Sequence, residues 1–282
     1  MQITLPAIAF GGSASVGELP PADGAWSQWF RAVALGGQGF YAAAAVELRR
    51  IEVGGGPALL RSLAASTRAA HLRQGGRHHR AADQDGIALH IVGPADLGDA
   101  RSSTAVCDAL TGLAADDLGR GMYSAADRLL GRVEQILGDR DVVPGGDAES
   151  WIWGPRPELR WRWVRAELAM YTADPAAASE HAAAAEARAL AGPSSRHRIK
   201  TDLICAAAAA AGGDLAVAGD RAMRVVDAAA VARQPPLEWA AAKLLEGIGA
   251  GEHWAGRAER LGCLLAERGG EMGRRDRRDA HG

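Results

Sequence analysis

Lysine is almost absent from this 282-residue chain. Lys200 and Lys243 are the only two, and arginine supplies the rest of the 32 basic residues. Against 34 acidic residues the net charge is −2. Proteins that bind nucleic acid through phosphate contacts carry a strong basic excess, so direct nucleic-acid binding is not expected. Cysteine is confined to Cys107, Cys205 and Cys263. Three widely spaced thiols offer no disulfide framework and suit a reducing compartment. No apolar run approaches the roughly 20 residues of a membrane span, so no membrane partner is expected. Strand-like alternation is missing too. The nearest candidate, Ile3–Phe10, is short and interrupted by Pro6. The first six residues lack Lys and Arg, unlike the charged start of a secretory signal, and a cytoplasmic location is expected.

Alanine, the best helix former, fills much of what remains, and 36 glycines punctuate it. Trp26, Trp29, Phe30 and Val33 recur at helical spacing before Gly36-Gly37-Gln38-Gly39. Phe40 to Val53 is helical again, and Gly54-Gly55-Gly56-Pro57 stops it. The same order returns: helix over 59–74, Gly75-Gly76, helix over 78–90. It returns again as 103–118, Gly119-Arg120-Gly121 and 122–138. After a polar, Gly-rich loop over 139–146 come 159–171, a turn at Ala173-Asp174-Pro175, and 176–191. The last two pairs are 195–211 with 215–232 around Gly212-Gly213-Asp214, and 237–248 with 253–268. Glycine readily takes the left-handed geometry that ends a helix, so each cluster predicts a turn. Each hairpin carries an apolar stripe that it cannot bury alone, as Trp163, Val164, Leu168 and Tyr171 show, whereas neighbours stacked side by side bury it continuously. The expected class is all-α. An extended N-terminal segment is expected over 1–22, a helical array over 23–268, and a disordered tail over 269–282, where Arg274–Arg278 sit among glycines.

Leu35-Gly36-Gly37-Gln38-Gly39-Phe40-Tyr41 with Ala43 resembles the turn of the tetratricopeptide-repeat (TPR) family. So do Arg73–Arg77 with Ala81, and Leu118-Gly119 with Met122-Tyr123 and Ala126. Gly212-Gly213-Asp214-Leu215 is a looser match. The repeat interval is longer than the family's, and its closing proline is mostly missing. In composition the chain is similar to proteins of high-GC bacteria. The resemblance implies a TPR-like solenoid of about five to six antiparallel hairpins, with the first helix of each lining a concave groove. It also implies a non-enzymatic scaffold that binds a protein or peptide segment there, or a regulatory module of a transcription or signalling complex.

Few residues carry readable chemistry. His78-His79 are adjacent and diverge by about 100° on a helix, with no C-x-x-C, H-E-x-x-H or E-x-x-H spacing to complete a metal site. The glycine clusters lack the Lys-Ser/Thr ending of a phosphate loop, and no G-x-S-x-G elbow is present. No catalytic residue, cofactor or metal is expected, and the three thiols are expected to be buried and inert. Ser194 or Ser195 caps a polar helix start, where Arg196 and Lys200 fall four apart on one face. By the resemblance they face the groove with Arg162, Arg165 and Arg68, a row suited to an acidic peptide or a terminal carboxylate; the alternative is a solvated arginine surface. Trp151 and Trp153 precede Gly154-Pro155. Either they plug the longest interval between repeats or they anchor a partner.

Overall fold

The computed structural model describes residues 4–12, 18–93, 97–140 and 146–272. Among them are fourteen helices and no strand, so the chain is all-α. A short α1 (Leu5–Phe10) precedes six pairs. They are α2 (Ala25–Gly37) with α3 (Tyr41–Val53), α4 (Ala58–Gln74) with α5 (His78–Val92), and α6 (Ala100–Gly119) with α7 (Tyr123–Gly138). Then follow α9 (Pro155–Tyr171) with α10 (Pro175–Ala191), α11 (Ser195–Ala211) with α12 (Leu215–Val231), and α13 (Pro235–Gly247) with α14 (His253–Glu267). Between α7 and α9 lies the six-residue α8 (Ala148–Trp153).

One turn chemistry closes the pairs. The third residue past each helix donates its N–H back to the carbonyl five positions earlier: Phe40 to Leu35 at 2.9 Å, Arg77 to Leu72 at 3.1 Å, Met122 to Asp117 at 2.7 Å, and Asp214 to Ala209 at 3.0 Å. Such a bond needs a left-handed residue in between. Gly39 and Gly76 supply it with φ of 78° and 77°. In the fourth pair Ala173 takes the position at φ 57°, and Asp174 donates to Ala169 at 2.8 Å. Asp174 and Asp214 then accept from the N–H groups of Ala177 and Val217, capping α10 and α12.

Packing divides between small and large residues. α10 buries an all-alanine stripe, Ala178, Ala182, Ala185 and Ala189, which brings its axis close to its neighbours. Area comes from Trp29, Leu48, Leu60, Leu130, Trp151, Leu159 and Leu245, all fully buried. Each such side chain contributes about 1.5–3 kcal/mol.

Three departures from the sequence reading concern the ends and the long interval. Within the expected extended segment 1–22, residues 5–10 form α1, because Pro6 in a first helical turn costs no hydrogen bond and the turn buries Leu5, Ile8 and Phe10. The Trp151–Trp153 connection is helical, started by an Asp147–Ser150 capping box. Of the expected disordered tail, Gly269–Met272 are placed against the first pair; Arg274–Arg278 lie outside the described residues. Arg268 accepts from Ala42 N–H at 2.9 Å, donates to Gln38 O at 2.9 Å, and lies over the Phe40 ring at 4.1 Å. Glu271 pairs with Arg77 at 2.9 Å and Arg80 at 2.7 Å. The last pair therefore meets the turns of the first two, and the succession of pairs closes on itself.

A cation-lined chamber as candidate functional site

Within the closed succession lies a partly open cavity of about 740 Å³. Its wall comes from α1 and from the first helix of each pair: Phe10 on α1, Trp29 on α2, His71 and Arg73 on α4, Asp108 on α6, Arg156, Arg160, Trp163 and Glu167 on α9, Arg196, His197 and Lys200 on α11, and Trp239 on α13. Aromatic rings stack along one side. Phe10 and Trp29 lie 5.5 Å apart, and the His197 ring stacks on Trp163 at 5.5 Å.

Most of the cations are matched. Asp108, 4% exposed, takes both Arg156 (2.6 Å) and Arg160. Burial pushes the Asp108 carboxyl up, but the two guanidinium groups outweigh it and hold it below the usual carboxylate range. Arg73 bridges Asp116 (2.8 Å) and Asp85. Burial, with Asp116 adding to it, drives Asp85 up to about 7 despite Arg73.

Arg196 and Lys200 are different. Arg196 donates to the Val33 carbonyl at 3.4 Å, and Lys200 Nζ lies 4.8 Å from the Trp163 ring centre. Among the described residues neither has a carboxylate within ion-pair distance. Both are partly accessible only because they touch the cavity; each sits deep in the protein, and burial lowers both pKa values. Glycines make the space: a Cβ on Gly37 would stand 2.9 Å from Arg196 Nη1, and one on Gly36 only 2.0 Å from His71 Nε2.

The histidines stay neutral. Burial, reinforced by Arg196 and Arg68, lowers His71 to about 3. Burial, reinforced by Arg156, Arg196, Arg160 and Lys200, puts His197 well below its ordinary range. A lowered histidine contributes stability in full above its unfolded pKa of about 6.5, and loses it as pH falls toward the folded value. Asp85 acts oppositely: its folded pKa lies above the unfolded one, so protonation between about pH 7 and 4 favours the fold. Between about pH 6.5 and 4 the buried histidines, which take up protons only on unfolding, outweigh the one aspartate, so acidification lowers stability. Urea midpoints at pH 6.0 and 4.5 are expected to fall accordingly, and His71→Gln is expected to flatten the slope. A midpoint that rises on acidification contradicts the buried neutral histidines.

Of the residues singled out by sequence, Arg196 and Lys200 share the chamber. Arg68 pairs with Glu52 at 2.8 Å. Arg162 pairs with Glu158, Arg165 with Asp127 (2.6 Å) and Glu134 (3.2 Å), and both lie over the Trp161 ring, away from the chamber wall. Trp151 and Trp153 are 1% and 7% exposed and belong to the core. Sequence reading passed over Arg73, Asp108, Arg156, Arg160, Glu167 and the two histidines.

Cys107 and Cys205 are buried, and burial pushes their thiols up to about 12 and about 11. Cys263, expected to be buried, is exposed on α14. Among the described residues no group of three His, Cys, Asp or Glu side chains is placed to hold a metal ion, and no helix is long and apolar enough to cross a membrane. Comparisons of this chain with protein-family models, with curated proteins and with solved structures yield no match.

Proposed function

We propose that this chain is a non-enzymatic, TPR-like helical-repeat scaffold of the cytoplasm that binds an acidic segment of a protein partner. One observation carries the reading: Arg196 and Lys200 on the inner face, both without a carboxylate partner. Charges enclosed in protein are costly unless matched, so a partner that brings negative charge is the chemistry this face selects. The repeated turn bonds and the use of the first helix of each pair support the repeat architecture. Rigid helices present the cations in fixed positions, which reduces the ordering cost of binding. Free thiols suit a reducing compartment.

The enclosure of the chamber favours a second reading, a regulatory module whose ligand changes how the last pair meets the first. Both readings rest on binding rather than reaction. Fluorescence anisotropy with labelled dodecapeptides tests the first. Acidic peptides are expected to bind at least tenfold more tightly than neutral ones of the same apolar content, with affinity falling as salt rises. Equal binding of acidic and neutral peptides, or none of either, overturns the partner proposal.

A further inference from the structure

We propose that the chamber is also the site of a small organic monoanion, a carboxylic acid with an apolar body, whose carboxylate is held by Arg196 and Lys200. The site deepens the binding reading above, because the acid would compete there with a partner's acidic segment. Four observations converge on it.

The cavity of about 740 Å³ lies within the range of about 300–1,000 Å³ that holds compact ligands. It is bounded by α1, by the inner helices and by the closure at Gly269–Met272, with Met272 on its wall, and it is partly open to solvent.

Charge sets the valence. Asp108 neutralises one of the two arginines it holds, and Asp85 and Asp116 stand behind Arg73. Glu167 on the wall is the remaining carboxylate and acts on Lys200 from beyond ion-pair distance. Five cations against four carboxylates, with Asp85 only partly ionised near neutral pH, leave an excess of at least one positive charge, which a carboxylate meets without overshooting.

Position sets the grip. Arg196 and Lys200 lie one turn apart on α11, so a guanidinium fork and an ammonium reach the same region. Much of the remaining wall is apolar, with Phe10, Trp29, Trp163, Met170 and Trp239 offering rings and a thioether to a hydrocarbon or aromatic body.

The test uses the full chain and calorimetric titration with decanoate, 3-phenylpropionate and indole-3-acetate, each paired with its primary amide, and with phenyl phosphate. At least one acid is expected to bind with a Kd below 1 mM, at least tenfold tighter than its amide and tighter than phenyl phosphate. Lys200→Met removes an enclosed charge, so it is expected to raise the thermal midpoint of the free protein while weakening acid binding at least tenfold. A merely structural lysine would not move the two in opposite directions. The wild-type acid-to-amide ratio stands as a readout even if the variant folds poorly. Equal binding of acid and amide, tighter binding of phenyl phosphate, or no binding by any acid overturns the inference. Acids that bind while acidic peptides do not remove the partner reading alone; peptides that bind while no acid does remove this one alone.

Discussion

Asp108→Ala is expected to lower stability by about 3–5 kcal/mol, the usual cost of stripping the partner from a buried ion pair. Asp108 is the one carboxylate in contact with both Arg156 and Arg160. Arg156 is only 4% exposed, and its other hydrogen bond runs to the Ile152 carbonyl at 3.3 Å. Without Asp108 its guanidinium has nowhere to turn, and the four cations that α9 and α11 place on the chamber wall repel one another. The loss comes from the orphaned charge, not from the pair's intrinsic worth. Replacing Asp108 by leucine together with Arg156 by methionine is therefore expected to recover most of it, since apolar residues of similar volume often replace a buried pair without penalty. Urea unfolding checks both, read as midpoint with unchanged slope. A single variant within about 1 kcal/mol of the parent would mean that water reaches these arginines and that the chamber is not closed there.

The helices were legible because their endings are chemical. Glycine clusters, and Asp174 and Asp214 after their turns, mark the same bonded geometry in successive pairs, so the α11 bounds agree to the residue and most others to within three. α1 and α8 escaped because six residues are too few to show a period, and proline at Pro6 argued against order although it sits where a helix tolerates it. The chamber was half legible. Spacing put Arg196 and Lys200 on one face of α11, and the tetratricopeptide-repeat resemblance turned that face inward. On α9 the choice went to Arg162 and Arg165 by analogy with an open, wet groove. The inner face here is the apolar one, and the charged residues on it are those in phase with Trp163: the cations Arg156 and Arg160 and, beyond it, the carboxylate Glu167. Spacings of four, three and four residues put these on one stripe. What no spacing shows is closure. The contact of Arg268 with Gln38 and Phe40 joins residues at opposite ends of the sequence, and it turns a groove into a cavity.

Trp151→Ala is expected to cost about 3–5 kcal/mol as well, by leaving a hole that rigid neighbours cannot fill. α8 occupies the longest interval between turns, and Trp151, at 1% exposure, is its most deeply buried aromatic residue. Its ring meets His197 edge-on at 5.9 Å, and Gly192 lies under it so closely that a Cβ there would stand 2.4 Å from the ring. Gly192, capping α10, is thus small because the indole needs the space. Its indole N–H has no acceptor within the protein, so shape rather than hydrogen bonding holds the residue. Trp151→Phe is accordingly expected to retain most of the stability that alanine loses. Trp153 stacks on Trp29 at 6.1 Å and meets Trp26 at 5.9 Å, with Arg101 above it at 5.4 Å. That places it nearer the rim, and its alanine variant is expected to lose less than that of Trp151. Thermal unfolding of the four proteins, parent included, ranks them. Were Trp151→Ala to melt with the parent, the indole would be exposed in solution, and a partner-anchoring role for α8 would replace the plug.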